Sequence, residues 1–321
     1  MSKVLIIGGG AAGMMAAVAA GENGHEVWLY EKNDRLGRKL FITGKGRCNI
    51  TNAGDMETLF ASVMSNPKFL YSSFYTFTND QVIDFFEELG VRTKIERGNR
   101  VFPLSDHSSD VIAGLKRKLE TLGVRICLET EVEKIEGKDG KFQAIVLKGG
   151  QRKTGDACIV ATGGISYPAT GSTGDGYRFA KENGHQITKL YPALVPMEVR
   201  EWYAKELQGL SLRNVSAAVY DGKKKLYEDF GEMLFTHYGV SGPLMLSASS
   251  VIGKRLSEKE LRLVIDLKPA LTAEQLDARV LREFEEHKNK QFKKCGGSFV
   301  PIQIKTSYAG AFRYFGREES Q

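Results

Sequence analysis

Three glycines near the amino terminus have a spacing that can bind a dinucleotide. Gly8, Gly10 and Gly13 form the pattern G-x-G-x-x-G. In this pattern the first glycine makes a tight turn, the second lets the backbone approach a pyrophosphate, and the third lets a helix pack on a strand. The carboxylate of Glu31, 18 residues after Gly13, can accept hydrogen bonds from both ribose hydroxyls. An acid at this place disfavours a 2′-phosphate, so we expect FAD or NAD before NADP.

The surrounding residues predict the elements that position this pattern. Residues 4–7 are an apolar run of the kind found in strands buried on both faces. An alanine-rich helix follows to about Ala20, and a second strand runs from His25 to Tyr30. The amino terminus of that helix offers unpaired N–H groups and partial positive charge to phosphates. The order of strand, turn, helix, strand and acid therefore predicts a parallel sheet that binds a dinucleotide.

A polar loop follows the second strand directly. Its second half, TGKGRCNITN at residues 43–52, contains one aliphatic residue and neither the strand nor the helix period. The loop carries Arg38, Lys39, Lys45 and Arg47 together with amide side chains that can hydrogen-bond a flavin ring or a phosphate. A dehydrogenase that only borrows NAD needs no such loop, so the sequence favours a resident flavin. The alternative is a basic surface loop.

The middle of the chain predicts further strands near the cofactor. From Val124 the apolar period changes to two, which predicts a small antiparallel meander inserted in the parallel sheet. The backbone near Val132 either meets an adenine or is an ordinary part of the sheet. Residues 161–164, ATGG, end a strand in small residues where a cofactor must pass close to the backbone. The glycine-rich stretch 171–176 is interpreted as a crossing between domains, with a phosphate-cradling loop as the alternative.

The character of the sequence changes beyond Pro192. It becomes β-rich with glycine turns and then helical, which is typical of a second domain that covers a substrate pocket. The predicted fold class is α/β: a Rossmann-like FAD-binding domain with an inserted antiparallel meander, plus a second β-rich domain with a helical segment. The predicted boundaries are 1–190 for the FAD-binding domain, 191–294 for the substrate domain and 295–321 for an atypical tail.

Composition and charge restrict the class of protein. With 42% hydrophobic and 26% charged residues among 321, the chain is typical of a soluble globular protein. The formal charge of +6 permits contact with polyanions, yet the short basic runs at 116–118 and 223–225 are more typical of solvated faces. The four cysteines form no CxxC pair, no leader precedes the first strand, and no membrane-length apolar run occurs. We therefore expect a cytoplasmic location, no metal site and no membrane span.

A set of longer motifs carries a resemblance to a known family. These motifs are IIGGGAAGMMAA, LGRKLFITGKGRCNITN, NRVFP, ATGGISYPATGSTGDGYRFA and GEMLFTHYGVSGPLML. From Met1 to about Lys290 the chain resembles the bacterial BaiN/RdsA-type flavoproteins, FAD-dependent oxidoreductases also described as aminoacetone oxidase-like. The set is far more specific than the glycine pattern alone.

The resemblance implies bound FAD and assigns residues to it. It implies a pyrophosphate at the glycine turn, a ribose at the acid after the second strand, an adenine at the meander, and further contacts around the cofactor. In that order the residues are Gly8, Gly10, Ala12 and Gly13; Glu31; Val132; and Lys32, Arg38, Arg47, Asn49, Thr162 and Gly163.

The same resemblance implies hydride transfer between the flavin and a small-molecule or nucleobase substrate, with NAD(P)H as a candidate donor. Such proteins have been linked to C=C reduction, including uridine in ribosomal RNA and steroid rings, and to amine oxidation. The partner is accordingly a small molecule or ribosomal RNA, and the oligomeric state is not indicated. A protein that binds RNA would need a basic rim. Its predicted members are Lys116, Arg117, Lys118 and Lys223 to Lys225.

No residue is assigned as catalytic. Tyr167, His237 and Tyr238 are conceivable proton donors or pocket walls, but structural roles are commoner for such residues. Ser241 lies in GVSGP, which lacks the two-sided glycine spacing of a nucleophile elbow, so hydrolase chemistry is not expected.

The end of the chain departs from the family pattern. Relatives of this kind return to the first domain with a segment that contacts the flavin, whereas residues 295–321 do not resemble that segment. We expect a truncation or a change of reading frame after about Lys294. An inactive remnant that binds a dinucleotide weakly or not at all is therefore an alternative to an active oxidoreductase.

Overall fold

Parallel strands and helices alternate at the start of the chain, whereas antiparallel strands prevail later. The computed structural model describes residues 1–286, in one unit from Met1 to Thr188 and a second that begins at Lys189. In chain order the strands are β1 (Lys3–Ile7), β2 (Glu26–Tyr30), β3 (Thr51–Asn52), β4 (Thr93–Glu96), β5 (Arg100–Pro103), β6 (Arg125–Cys127), β7 (Val132–Lys138), β8 (Lys141–Leu147), β9 (Arg152–Thr154), β10 (Ala157–Val160), β11 (Met197–Glu198), β12 (Ser211–Asp221), β13 (Lys224–Thr236), β14 (Gly239–Ser241) and β15 (Arg262–Asp266). The helices are α1 (Ala11–Glu22), α2 (Arg38–Ile42), α3 (Met56–Ala61), α4 (Tyr71–Thr76), α5 (Asn79–Glu88), α6 (Ser108–Thr121), α7 (Asp175–Glu182), α8 (Tyr203–Glu206), α9 (Pro243–Leu256) and α10 (Ala273–Glu286).

A parallel sheet lies at the centre of the first unit, as the sequence predicted. Its strand order is β10, β1, β2 and β6, and each neighbouring pair is parallel. Strand β1 lies inside this sheet, and Val4 to Ile7 are each at most 7% exposed. Burial on both faces explains why the run is apolar throughout.

The two faces of the central sheet belong to different cores. Ile6 packs on one side with residues of α1 and α6, such as Leu115. Leu5 packs on the other side with Ile145 of β8 and Phe179 of α7. Strands β7, β8 and β9 form the predicted antiparallel meander. Helices, parallel sheet and meander therefore form three layers in this unit.

A small antiparallel sheet supports the polar loop that follows α2. Its strand order is β3, β5 and β4, and β4 and β5 form an antiparallel hairpin. The amide of Ile50 donates to the carbonyl of Val101 at 2.8 Å, and Thr51 pairs with Val101 in the ladder. Because Val101 and Phe102 of β5 are buried, the far end of the loop is fixed to a rigid element.

The second unit is an antiparallel sheet with a helix packed against it. The strand order is β11, β14, β13, β12 and β15. Buried residues of α9, including Met245 and Ile252, form one core with Met233 and Phe235 of β13. This antiparallel sheet is followed along the chain by α10. The strand-rich unit with a helical segment, together with the parallel sheet of the first unit, confirms the predicted fold class. The predicted tail, 295–321, lies outside the described residues, and no helix within residues 1–286 is long and apolar enough to cross a membrane.

Candidate dinucleotide-binding site

A cavity of about 510 Å³ lies at the carboxyl ends of β1, β2 and β10. In α/β sheets ligands bind outside the carboxyl ends of the strands, and a volume of this size is typical of ligand pockets. Segments from seven parts of the first unit line the cavity. They are residues 7, 8 and 10–12; 30–33; 38–40 and 43; 130–132; 160–163; 170–172 and 175; and 179.

Two glycines of the turn after β1 are required by the packing of the protein itself. Gly8 has φ +107°, and a Cβ atom there would lie 2.5 Å from the carbonyl oxygen of Ala161. A Cβ atom at Gly13 would lie 1.8 Å from the carbonyl oxygen of Gly8. Gly13 therefore does not line the cavity but lets α1 pack against the turn, the role that the glycine spacing predicts for it.

Gly10 differs from both because no packing contact in the described part of the chain requires a glycine there. It caps the amino terminus of α1 with φ −79° and ψ −174°, a conformation open to any residue. Among residues 1–286, no atom outside its chain neighbours lies within 4 Å of the place of a Cβ atom. Gly10, Ala11 and Ala12 all line the cavity, and the first N–H groups of an α-helix have no intrahelical partner. The turn thus fits a phosphate group that approaches the backbone closely.

Glu31 connects the end of β2 to the glycine turn and to Asn33. The residue is 7% exposed, and its Oε2 accepts from the amide of Gly9 at 2.6 Å. Its Oε1 accepts from the backbone amide of Asn33 at 2.8 Å and from the Asn33 side-chain Nδ2 at 2.6 Å. A carboxylate has about four acceptor positions, so one position on Oε2 remains for a ribose hydroxyl. A second ribose hydroxyl would have to displace Asn33 Nδ2, a competition that the sequence did not suggest.

Three cations line the cavity, and two of them are already held by protein groups. Arg38 NH1 donates to Asn33 Oδ1 at 2.8 Å. Lys32 Nζ donates to Thr173 Oγ1 and to Asp175 Oδ2, both at 2.7 Å. Lys39 lies at the same cavity wall. Positive charge beside a helix amino terminus favours an anionic ligand.

The end of β10 forms the opposite wall. Thr162 and Gly163 line the cavity, and Gly163 has φ +74° with the Oγ of Ser172 2.8 Å from the place of a Cβ atom. Residues 170–172 also line the cavity and belong to the first unit. We expected this glycine-rich stretch to cross between domains, whereas it folds back on the cavity. Val132, 7% exposed, lies on the meander side of the same wall.

Arg47 and Asn49 do not line the cavity. Arg47 binds Asp106 through NH2 at 2.6 Å and through Nε at 2.8 Å, and it also bonds Glu96. Its guanidinium lies 4.2 Å from the centre of the Phe102 ring. Asn49, with its amide nitrogen turned to face acceptors, donates to the carbonyls of Val101 and Thr51. In this structure both residues fasten the polar loop to β5 and its neighbours.

The loop held in this way has an unusual backbone. Gly44, Lys45, Gly46 and Cys48 all have positive φ, a region that costs energy for residues with a side chain. Cys48 is 1% exposed, and burial raises the pKa of its thiol to about 11. The thiol is therefore a protonated packing group at neutral pH and not a nucleophile.

Replacing Arg47 with methionine should loosen this loop. Hydrogen bonds from Arg47 lower the pKa of Glu96, and hydrogen bonds from Lys94 and then Arg47 lower that of Asp106. We expect amides of residues 44–48 to exchange with deuterium several-fold faster in Arg47→Met, because the strained backbone loses its ion pairs. Methionine keeps the apolar contact with Phe102. The control is Arg97→Met, an exposed arginine in the same hairpin, which should exchange as the wild type does.

The stability difference between wild type and Arg47→Met should depend on pH in one direction. A carboxylate whose folded pKa is depressed stabilises the folded state above its unfolded pKa, and this is lost as pH falls through the folded pKa. The difference in urea midpoint between wild type and Arg47→Met should therefore be full at neutral pH and should shrink below about pH 4. A difference that stays constant down to pH 3 would contradict the role of these carboxylates.

The conceivable proton donors belong to different units of the chain. Tyr167 is 67% exposed and belongs to the first unit, while His237 and Tyr238 belong to the second. The rings of His237 and Tyr238 are 4.4 Å apart and nearly perpendicular. Tyr167 is not among the residues that line the cavity.

Comparison with known proteins identifies relatives over most of the chain. The family described as HI0933-like protein Rossmann domain matches residues 2–298. The 3-dehydro-bile acid delta(4,6)-reductase of Clostridium scindens is 34% identical over 295 residues, which cover 90% of this chain and 69% of that protein. The ribosomal RNA dihydrouridine synthase of Haemophilus influenzae is 31% identical and that of Escherichia coli 30% identical. Those two matches cover 78% and 77% of this chain, and 61% and 60% of the respective relatives.

The chain thus spans roughly two thirds of the length of these relatives. The family match includes the glycine turn, the strands that precede Glu31 and Thr162, and most of the second unit. The chain belongs to the HI0933-like Rossmann family.

Proposed function

We propose that this chain is an FAD-dependent oxidoreductase that transfers a hydride between the flavin and a small-molecule substrate. One observation carries the proposal: a single cavity is lined by the glycine turn, Glu31, Arg38 and the end of β10. A dinucleotide requires such a combination, with donors for a pyrophosphate next to an acceptor for a ribose. The space above Gly10, which no atom of residues 1–286 fills, supports a ligand whose phosphates touch the backbone.

Each wall of the cavity has a role in this proposal. The amino terminus of α1 and Arg38 would hold the pyrophosphate, since both offer donors to negative charge. The remaining acceptor of Glu31 Oε2 would hold a ribose hydroxyl, and Val132 would cover the adenine. Thr162 and Gly163 would meet the cofactor at the end of β10. Arg47 and Asn49 would act indirectly, by holding the loop that begins at Thr43 of the cavity wall.

The flavin, when bound, supplies the hydride chemistry, and the protein supplies binding and orientation. We propose an activated C=C bond, such as one conjugated to a carbonyl, as the substrate group and NAD(P)H as the donor. The similarity to a reductase acting on 3-dehydro-bile acids, over 90% of this chain, supports this class of substrate. The second unit is proposed to contribute the substrate pocket.

Purification of the full chain tests the cofactor first. We expect a yellow protein, or a colourless one that takes up FAD, with flavin absorbance that survives desalting. Under anaerobic conditions NADH or NADPH should bleach this absorbance, and a conjugated enone should restore it. Protein that never retains FAD would overturn the proposal in favour of the inactive remnant. Retained FAD that neither nucleotide bleaches would overturn only the proposed donor.

Reduction of uridine in ribosomal RNA is the second candidate function. The similarity to two ribosomal RNA dihydrouridine synthases favours it. The predicted basic rim gives it less support, because Lys116 pairs with Glu120 at 3.7 Å and Lys118 pairs with Glu22 at 2.6 Å. Lys225 likewise pairs with Glu228.

Salt dependence distinguishes this candidate from the first. A protein that contacts RNA phosphates loses affinity as salt rises, with a slope that counts the contacts. Gel-shift titrations of ribosomal RNA fragments between 50 and 200 mM salt, roughly the range over which such slopes are large, should give a steep slope if RNA is the substrate. An affinity that is weak, or that does not change with salt, excludes this candidate.

A further inference from the structure

Two walls of the cavity are joined to each other by side chains. Lys32, just after β2, donates to Thr173 Oγ1 and Asp175 Oδ2, both at 2.7 Å. Asn33 Nδ2 donates to the carbonyl of Thr170 at 3.2 Å. These contacts connect residues that are 137 to 143 positions apart in the chain. The residues on both sides line the proposed cofactor cavity, except Thr173.

The segment 170–175 is shaped to reach the end of β2. Gly171 has φ +99°, and a Cβ atom there would lie 2.6 Å from Asn33 Nδ2. Ser172 is 7% exposed, and its Oγ leaves no room for a side chain at Gly163. Thr173 Oγ1 also donates to Asp175 Oδ2 at 2.9 Å. The segment is thus fitted against both β2 and the end of β10.

The ion pair between Lys32 and Asp175 is partly sheltered from water. Each side chain is 25% exposed. Burial raises the pKa of Asp175, but hydrogen bonds from Lys32 and Thr173 outweigh burial and lower it. Arg178, at 3.8 Å, also faces this carboxylate. The carboxylate is therefore ionised at neutral pH, and a sheltered, charge-assisted hydrogen bond is stronger than one on an open surface.

We propose that residues 170–175 form a strap that closes the cavity against the end of β2, and that Lys32 and Asp175 are positioning residues that slow the entry and release of the dinucleotide. This inference rests on the FAD site proposed above. Lys32 has three N–H donors, of which two hold the strap. Its assignment from family resemblance to the cofactor shell is thereby refined, since most of its bonding capacity holds protein groups.

Simple electrostatics predicts the opposite effect for one substitution. Asp175→Asn removes a negative charge from a cavity that binds an anion, so charge alone would make FAD leave more slowly. A strap predicts faster release, because Lys32 loses its ionic partner and the segment opens more often. Asparagine has nearly the same shape as aspartate, which keeps the packing of the segment. The sign of the change therefore decides between the two explanations.

The experiment measures FAD exchange on the full chain. The FAD-loaded protein is diluted into buffer without FAD. The fluorescence of FAD rises when it leaves the protein, so the rate of this rise gives the release rate. We expect Asp175→Asn and Lys32→Met each to raise the release rate by about tenfold, and the double variant to release no faster than either single one. Faster uptake by the apoproteins should accompany faster release. The matched control is Glu136→Gln, which removes an exposed ion pair with Arg152 of 2.7 Å outside the cavity.

Release from Asp175→Asn that is unchanged or slower than wild type would overturn the strap while leaving the FAD site intact. Wild-type protein that retains no FAD would instead refute the proposed function. In that case deuterium exchange of the apoproteins decides on the strap itself. Amides of residues 170–176 should exchange faster in Asp175→Asn than in wild type or Glu136→Gln, and equal rates would refute the strap.

Discussion

Replacing Gly13 with alanine is expected to lower the free energy of unfolding by about 3 kcal/mol. The added Cβ atom would lie 1.8 Å from the carbonyl oxygen of Gly8, far inside contact distance. That oxygen belongs to the turn whose Gly8 amide donates to the carbonyl of Tyr30 at 2.8 Å. The turn therefore cannot retreat without disturbing β1 and β2, and α1 cannot retreat without opening the core around Met14.

A second glycine of the same helix supplies the control. A Cβ atom at Gly21 would meet only the side chain of Leu122, at 3.2 Å. Within a helix, alanine is more favourable than glycine by about 1 kcal/mol at either position. The difference in unfolding free energy between the two variants therefore isolates the clash. Urea unfolding should show Gly21→Ala close to wild type and Gly13→Ala strongly destabilised. Equal midpoints for the two variants would contradict the close packing of α1 on the turn.

The parts of the fold that sequence patterns predicted are those decided by neighbouring residues. The apolar run of β1, the small residues of α1 and the acid after β2 lie within 31 residues, and each reports burial or turn geometry directly. The meander was also predictable from neighbouring residues, although buried and exposed positions do not alternate strictly along β7 and β8, because irregularities interrupt the register of this strand pair. Local patterns sufficed because no distant partner changes which face is apolar.

The side-chain partners of charged residues were not predictable in this way. Arg47 is 59 residues from Asp106, and Lys32 is 143 residues from Asp175. A sequence shows that an arginine or a lysine is present but not which carboxylate the fold brings to it. The cationic loop therefore suggested a direct role at a flavin for Arg47, whereas in the structure its guanidinium binds protein carboxylates.

Asn33 was not predicted as a residue of the site, although its spacing from Glu31 could have indicated it. It stands two residues after Glu31, and an asparagine at that distance readily bonds a nearby side chain or backbone group. Its amide donates to Glu31 and to Thr170, and its oxygen accepts from Arg38. One side chain thus sets the position of a ribose acceptor and of a phosphate donor, which makes it part of the candidate site.

Gly10 is a glycine that the described protein packing does not require but that a bound ligand would. Among residues 1–286 it is the only glycine that has neither a positive φ nor a protein atom within 4 Å of the place of a Cβ atom. Any residue can adopt its backbone conformation, and the helix cap makes no use of a side chain there. Since nothing within residues 1–286 occupies the space, a group outside these residues would account for a glycine at this position.

Gly10→Ala should consequently weaken FAD binding by about 100-fold, which corresponds to about 2.7 kcal/mol, without unfolding the apoprotein. The methyl group would hold a pyrophosphate away from the N–H groups of α1, and Gly10→Val should weaken binding further because its side chain is larger. Fluorescence titration of the apoproteins with FAD gives the affinities, and urea unfolding of the same apoproteins should show a loss of no more than about 1 kcal/mol, the cost of alanine or valine relative to glycine at a helix N-cap. Unchanged affinity in both variants would mean that no phosphate lies at this turn, whereas a collapse of apoprotein stability would mean that the turn packs against protein instead. Because Gly13→Ala should destabilise the apoprotein far more than Gly10→Ala does, the two variants together assign one glycine to the fold and the other to the ligand.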